Sequence, residues 1–412
     1  MAATVSPDTG GSPVKVARLA GAAALVLGLA ACANNGGSAS GGSDPQSSGP
    51  IKIGVIVPLS GPAGPNGKDV LDAITVQAEI INKAGGVLGR QLEIVSKDDQ
   101  STPAAGVSAA TDLASQGVSV VMGGWNSPVT LAIQPVLVRQ GILNITTIPQ
   151  NASILGGADP DAIRMNAGNA VGAYTAGQFL TKTLKAKKVA FLLESDAYGN
   201  DAGSFLEKQL TPQGVQVVAQ QKFAYTDTDF RVPLSNVRNS GADAVFSANA
   251  AESSGMPALA KQYAEAGGTV PHFAGLGTVS PKVVQLAGGK AVDGLYSADI
   301  YFPEAPAFKD LPGNQAFLTA YQARHNGDLP DKYRALGAQS VDVWAKAVTK
   351  ANSLDRQKVA DAIHGQTFTG TVFGDVRFTA RGQMETKVYG FTVKNGEIQV
   401  LDEIPVPDKV WQ

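Results

Sequence analysis

The chain has 412 residues, with 33 Lys and Arg against 35 Asp and Glu, three His and one Cys. A near-zero net charge without a basic stripe excludes the electrostatic footprint of nucleic-acid binding, and a single cysteine excludes a disulfide within the chain. About 360 residues follow the N-terminal segment, more than one hydrophobic core usually supports, so two domains are expected.

Lys15 and Arg18 precede Leu19 to Ala31, an uncharged run that ends on small side chains. A permanent span needs about 20 apolar residues, so residues 1–31 read as a signal peptide that is removed. Leu29-Ala30-Ala31-Cys32 resembles the bacterial lipobox, which implies that Cys32 carries diacylglycerol and anchors the mature protein to a membrane. The plainer alternative is a signal peptide that ends in cysteine by chance. Residues 33–50 contain no large apolar side chain, and with Cys32 they read as a flexible tether spanning roughly 20 to 25 Å.

Ile51, Ile53, Val55 and Val57 read as a largely buried strand stopped by Pro58,. Val70, Leu71, Ile74, Ala78 and Ile81 then recur at helical spacing until Gly85-Gly86,. The alternation continues with a strand over Leu92 to Val95, a helix after Pro103, a strand over Val118 to Met122, a helix after Ser127 and a strand over Ile142 to Ile145. Strands alternating with helices predict a parallel sheet covered on both faces, with ligands gathering at the carboxyl ends of its strands. A second series runs through Val189 to Leu193, Val215 to Val218, Ala244 to Ser247 and His272 to Ala274. Near the end, Val388 to Val393 and Ile398 to Leu401 flank Asn395-Gly396, a hairpin signal. The fold class is α/β, with two Rossmann-like lobes.

The loops carry further information. Leu59-Ser60-Gly61-Pro62, Gly85-Gly86-Val87-Leu88-Gly89-Arg90, Asp98-Asp99, Gly123-Gly124 with Ser127, Asp196-Ala197-Tyr198-Gly199 and Thr228-Asp229-Phe230 stand in an order and spacing that resembles the periplasmic leucine/isoleucine/valine-binding proteins. The resemblance covers residues 51 to about 404. It implies a type I periplasmic binding protein, the solute receptor of an ABC importer, with no cofactor, a permease as partner and a monomeric state. It also implies two lobes joined by three crossing strands, expected near 163–166, 296–302 and 370–378. The first lobe would hold 51–165 and 300–372, and the second 166–299 and 373–412.

The resemblance assigns site residues as well. Ser127 matches the serine that holds a ligand carboxylate, although Asn126-Ser127-Pro128 is equally a helix-capping pattern. Tyr198 matches the tyrosine that meets the ligand from the second lobe, and Trp125 is either an apolar wall or packing. Ile148 stands at a carbonyl-donating position and Gln150 where a threonine belongs. Two positions depart from the family: Asn66 replaces a bulky aromatic, and Gly277 replaces the glutamate that pairs with an α-ammonium. Glu252 is a candidate substitute for that acid, its ordinary role being a solvated loop charge. An ammonium buried without an anion is costly, so these departures put an amino-acid ligand in question.

An enzyme would need chemistry that is not visible. There is no Gly-x-Ser-x-Gly elbow, Walker loop or His-Glu-x-x-His, and His272, His325 and His364 are scattered. A ligand sensor or cell-envelope regulatory lipoprotein of the same fold is the alternative to a transport receptor.

Overall fold

The computed structural model describes residues 49–268 and 270–412. The signal peptide, Cys32 and nearly all of the tether lie outside the described residues. The first lobe opens with β1 (Ile51–Val57), α1 (Gly64–Lys83), β2 (Leu92–Asp98), α2 (Pro103–Ser115), β3 (Val120–Gly123), α3 (Ser127–Arg139), β4 (Leu143–Thr146) and β5 (Ile163–Arg164). These strands pair in the order β2-β1-β3-β4-β5, all parallel. Every apolar residue of β1 is buried because helices cover both faces,.

The second lobe follows with α4 (Asn169–Gln178), β6 (Lys188–Glu194), α5 (Ala197–Leu210), β7 (Gln216–Phe223), α6 (Arg231–Asn239), β8 (Ala244–Ala248), α7 (Gly255–Glu265), β9 (His272–Ala274), α8 (Pro281–Leu286) and β10 (Leu295–Asp299). The chain then forms α9 (Pro312–Arg324), α10 (Lys332–Ala351), α11 (Arg356–Asp361), β11 (Thr367–Thr371), β12 (Gly374–Phe378) and β13 (Met384–Glu385). It ends in β14 (Tyr389–Lys394), β15 (Glu397–Glu403) and α12 (Asp408–Trp411). The second sheet runs β15-β14-β10-β9-β8-β6-β7. It is parallel from β10 to β7, with β14 and β15 added antiparallel. Asn395 and Gly396 adopt φ of 55° and 79°, the positive angles that a tight hairpin requires.

The third crossing is not where the sequence suggested. Residues 370–378 belong to a three-stranded sheet of order β11-β12-β13, in which Phe368 faces Val376 across an antiparallel pair. Phe368, Val376 and Phe378 are buried in the core that α10 shares. The expected boundary between 372 and 373 therefore cuts a hairpin, and the chain joins the second sheet only at Tyr389. The resemblance implies three crossings without fixing which late segment makes the third, and here 370–378 pairs locally instead. The link between β5 and the last segment is a single bridge, Arg164 to Gln383, reinforced by Arg164 Nε donating to Gln383 Oε1 at 2.7 Å.

Candidate ligand-binding site

The carboxyl ends of the central strands of both sheets face one another, and the loops that follow them line one cleft. Its walls are Trp125, Asn126, Ser127, Ile148, Pro149, Gln150, Glu194, Asp196, Tyr198, Ala250, Gly277, Thr278 and Tyr333. The space between these walls is about 20 Å³, close to the volume that one water needs.

Ser127 is the first residue of α3, not its cap. The capping position is Asn126, whose side chain makes no capping bond, and Pro128 in the first turn has no N–H to offer it,. Ser127 Oγ accepts from the Asn151 N–H at 3.4 Å, which leaves its own proton free to donate. The amides of Ser127 and Val129 belong to the helix's first turn and have no intrahelical acceptor. With the positive end of the helix dipole, they favour an anion here.

Trp125 is buried, its ring centroid 4.8 Å from that of Tyr333 and its Nε1 donating to the Tyr225 hydroxyl at 3.2 Å. The Ile148 carbonyl accepts from Asn166 Nδ2 at 2.7 Å, and Gln150 Nε2 donates to the Leu276 carbonyl at 3.1 Å. Both residues are on the cleft wall with one hydrogen-bonding face already engaged.

From the second lobe come Tyr198 and two carboxylates that sequence reasoning missed. Asp196 caps α5, its Oδ1 accepting from the Gly199 N–H at 3.0 Å. Gly199 must be glycine, because a Cβ there would fall on the Glu194 backbone, and this close approach fixes Glu194 and Tyr198 on one wall. Glu194 ends β6, is buried, and accepts the Ala250 N–H through Oε1. Burial and the neighbouring Asp196 push its carboxyl well above the usual range. The available signal was an acid closing the apolar run Val189 to Leu193 at the carboxyl end of a parallel strand.

Asn66 and Glu252 do not line the cleft. Glu252 is 2% exposed, which overturns its reading as a solvated loop charge. Asn66 Nδ2 donates to its Oε2, Ser280 Oγ donates to its Oε1, and Ser253 Oγ donates to Asn66 Oδ1 at 2.7 Å. Burial raises the Glu252 carboxyl to about 7. The cluster ties α1 of the first lobe to the loop before α7 in the second, so it is a latch across the lobe boundary. Two further bonds join the lobes, Asn151 Nδ2 donating to the Ala197 carbonyl at 2.8 Å and the Ala152 N–H donating to Asp201 at 2.9 Å.

Gly277 holds φ at +71°, and a Cβ there would fall on Lys332 Nζ. Lys332 is buried, donates to the Gly277 carbonyl at 3.1 Å and lies 3.7 Å from Asp299. Its ammonium also sits 4.5 Å from the centre of the Tyr333 ring. Burial lowers the Lys332 ammonium and raises Asp299 to about 6, each partner partly offsetting the other. A side chain on residue 277 would be strained at this φ and would have to displace the Lys332 ammonium, so the protein's own cation occupies that ground.

Residues 50–397 match a family model described as periplasmic binding protein. The chain is similar to the Leu/Ile/Val-binding protein homolog 1 of Brucella abortus (strain 2308), 26% identical over 347 residues, 84% of this chain and 90% of that protein. It is 28% identical over 343 residues to the leucine-, isoleucine-, valine-, threonine- and alanine-binding protein of Pseudomonas aeruginosa, 83% of this chain and 89% of the other. Among solved structures, a leucine binding protein from Thermotoga maritima superposes with a TM-score of 0.78 at 25% identity, covering 87% of this chain and 99% of its own.

Proposed function

Because the chain belongs to the Leu/Ile/Val-binding family of periplasmic binding proteins, we propose that it captures a small carboxylate-bearing solute in the interlobe cleft and delivers it to the permease of an ABC importer. The family is extracytoplasmic and binds solutes rather than transforming them. The observation that carries the reading is the first turn of α3, where Ser127 lines the cleft with a hydroxyl proton not used by its bond from Asn151, at a helix N-terminus that favours an anion,. Relatives named for leucine, isoleucine, valine, threonine and alanine support a solute of amino-acid size.

The space between the lobes admits little more than water, so the lobes must part for a solute to enter. We place the hinge where the chain passes between sheets, near Arg164, Ile300 and Gln383 to Tyr389. The solute then shifts an equilibrium between open and closed forms, and the closed form is what a permease reads. Cys32 carries the lipid anchor in this reading, and the protein acts as a monomer on its tether.

The test is a thermal-melting screen of small carboxylates against their primary amides. A carboxylate that raises melting while its amide does not supports the reading, and a solute that binds equally well as its amide removes it. X-ray scattering should show compaction with that solute. Cys32→Ser should release the protein from membranes, and full retention would rule out the anchor.

A further inference from the structure

Glu194 is a carboxylate in the cleft wall that the fold engages through only one of its oxygens. Its Oε1 accepts the Ala250 N–H, while Oε2 has no partner among the described residues although it is buried. A buried carboxylate oxygen left unpaired is costly, and nothing in the packing of β6 requires an acid, since the strand ends at Glu194.

We propose that Glu194 holds a cationic nitrogen of the solute, so that the ligand is a zwitterion with its carboxylate at Ser127 and its ammonium at Glu194. The inference rests on the carboxylate reading of Ser127 and adds the second pole. Three observations carry it. The cleft lining contains two carboxylates, Glu194 and Asp196, and no Lys, Arg or His. Asp196 is committed to capping α5, so Glu194 is the free one. At Gly277 there is no acid, and the Lys332 ammonium stands where a side chain would begin, so a second cation beside it would be repelled. The anion available to a solute ammonium in this cleft is therefore Glu194 at the end of β6.

The groups facing Glu194 are Asp196, Tyr198 and Tyr225, none of them cationic. Burial and Asp196 raise the Glu194 carboxyl, and an incoming ammonium lowers it again. The protons that Glu194 gives up pass to the solvent buffer while the ammonium keeps its own three, so binding releases protons.

The experiment uses the full chain in detergent and isothermal calorimetry in phosphate and Tris buffers. Probes are the twenty protein L-amino acids, the des-amino carboxylic acid of each, benzoate, and agmatine as an amine without a carboxylate. The expected result is that an L-amino acid binds with proton release and its des-amino acid binds about ten- to a hundredfold more weakly. Glu194→Gln keeps an acceptor for Ala250. It should weaken the amino acid by a similar factor, abolish proton release, leave the des-amino acid unchanged and not lower melting of the free protein. A des-amino acid or benzoate that binds as tightly as any amino acid would overturn the Glu194 assignment and leave the carboxylate reading standing. Agmatine as the tightest probe would overturn the carboxylate reading, and no binding in any arm would overturn both.

Discussion

The first-lobe wall of the cleft presents a helix N-terminus, a hydroxyl and an indole, whereas the second-lobe wall presents two carboxylates at the start of a helix of the same kind. Both α3 and α5 begin after a parallel strand, yet α5 is capped by its own Asp196 while α3 begins at Ser127 with no side-chain cap. One helix end is therefore satisfied internally, and the other keeps its donors for something else. The same supersecondary unit carries a side-chain cap in one lobe and none in the other, and the proposed anion site rests on that difference.

The largest effect is expected where charge is purely structural. Lys332→Met leaves Asp299 buried without its cation, and breaking such a pair costs about 3–5 kcal/mol. Urea unfolding should show that loss with little change in affinity. A large affinity loss at unchanged stability would move Lys332 from scaffold to ligand contact and erase the contrast between the walls.

Next comes Ser127→Ala, which on the proposed reading removes a hydrogen bond to the solute carboxylate, worth about 1.5–3 kcal/mol to binding. Affinity for the carboxylate should fall roughly ten- to a hundredfold while its amide is unaffected. Melting of the free protein is the control, because loss of the Asn151 contact acts on stability alone. Lower melting with unchanged affinity would make Ser127 scaffold, like Asp196, and would turn attention to Gln150.

The latch between the walls should answer to pH. Glu252 has a raised carboxyl at about 7 in the folded chain, above its unfolded value near 4.5. Its contribution is thus fully present below pH 4.5 and is lost as pH rises to about 7. Glu252→Gln, which stays neutral throughout, should melt higher than wild type above pH 7 by up to about 3 kcal/mol of stability. The two should converge near pH 5. A constant difference across this range would mean that Glu252 is ionised in the latch. The smallest effect belongs to Trp125→Phe, which deletes the bond to Tyr225 and keeps most of the apolar wall. About 1 kcal/mol is expected, read as easier opening in scattering without solute.

Much of the architecture was legible because it rests on local pattern. The β1 alternation, the helices after Pro103 and Ser127, and the Asn395-Gly396 hairpin each follow from residue spacing or from turn chemistry within a few positions, whereas Ser127, Tyr198, Ile148, Gln150 and Gly277 were nominated by the family resemblance and line the cleft together with Trp125. Tertiary structure decided what depends on contacts far along the chain. Glu252 is a latch only because Asn66, 186 positions away, meets it. The meaning of Gly277 depends on Lys332, 55 positions further on. Glu194 became a candidate only once the second sheet set its end against the first. Burial of a charge is a property of everything folded around it, and neighbours in sequence carry almost none of that information.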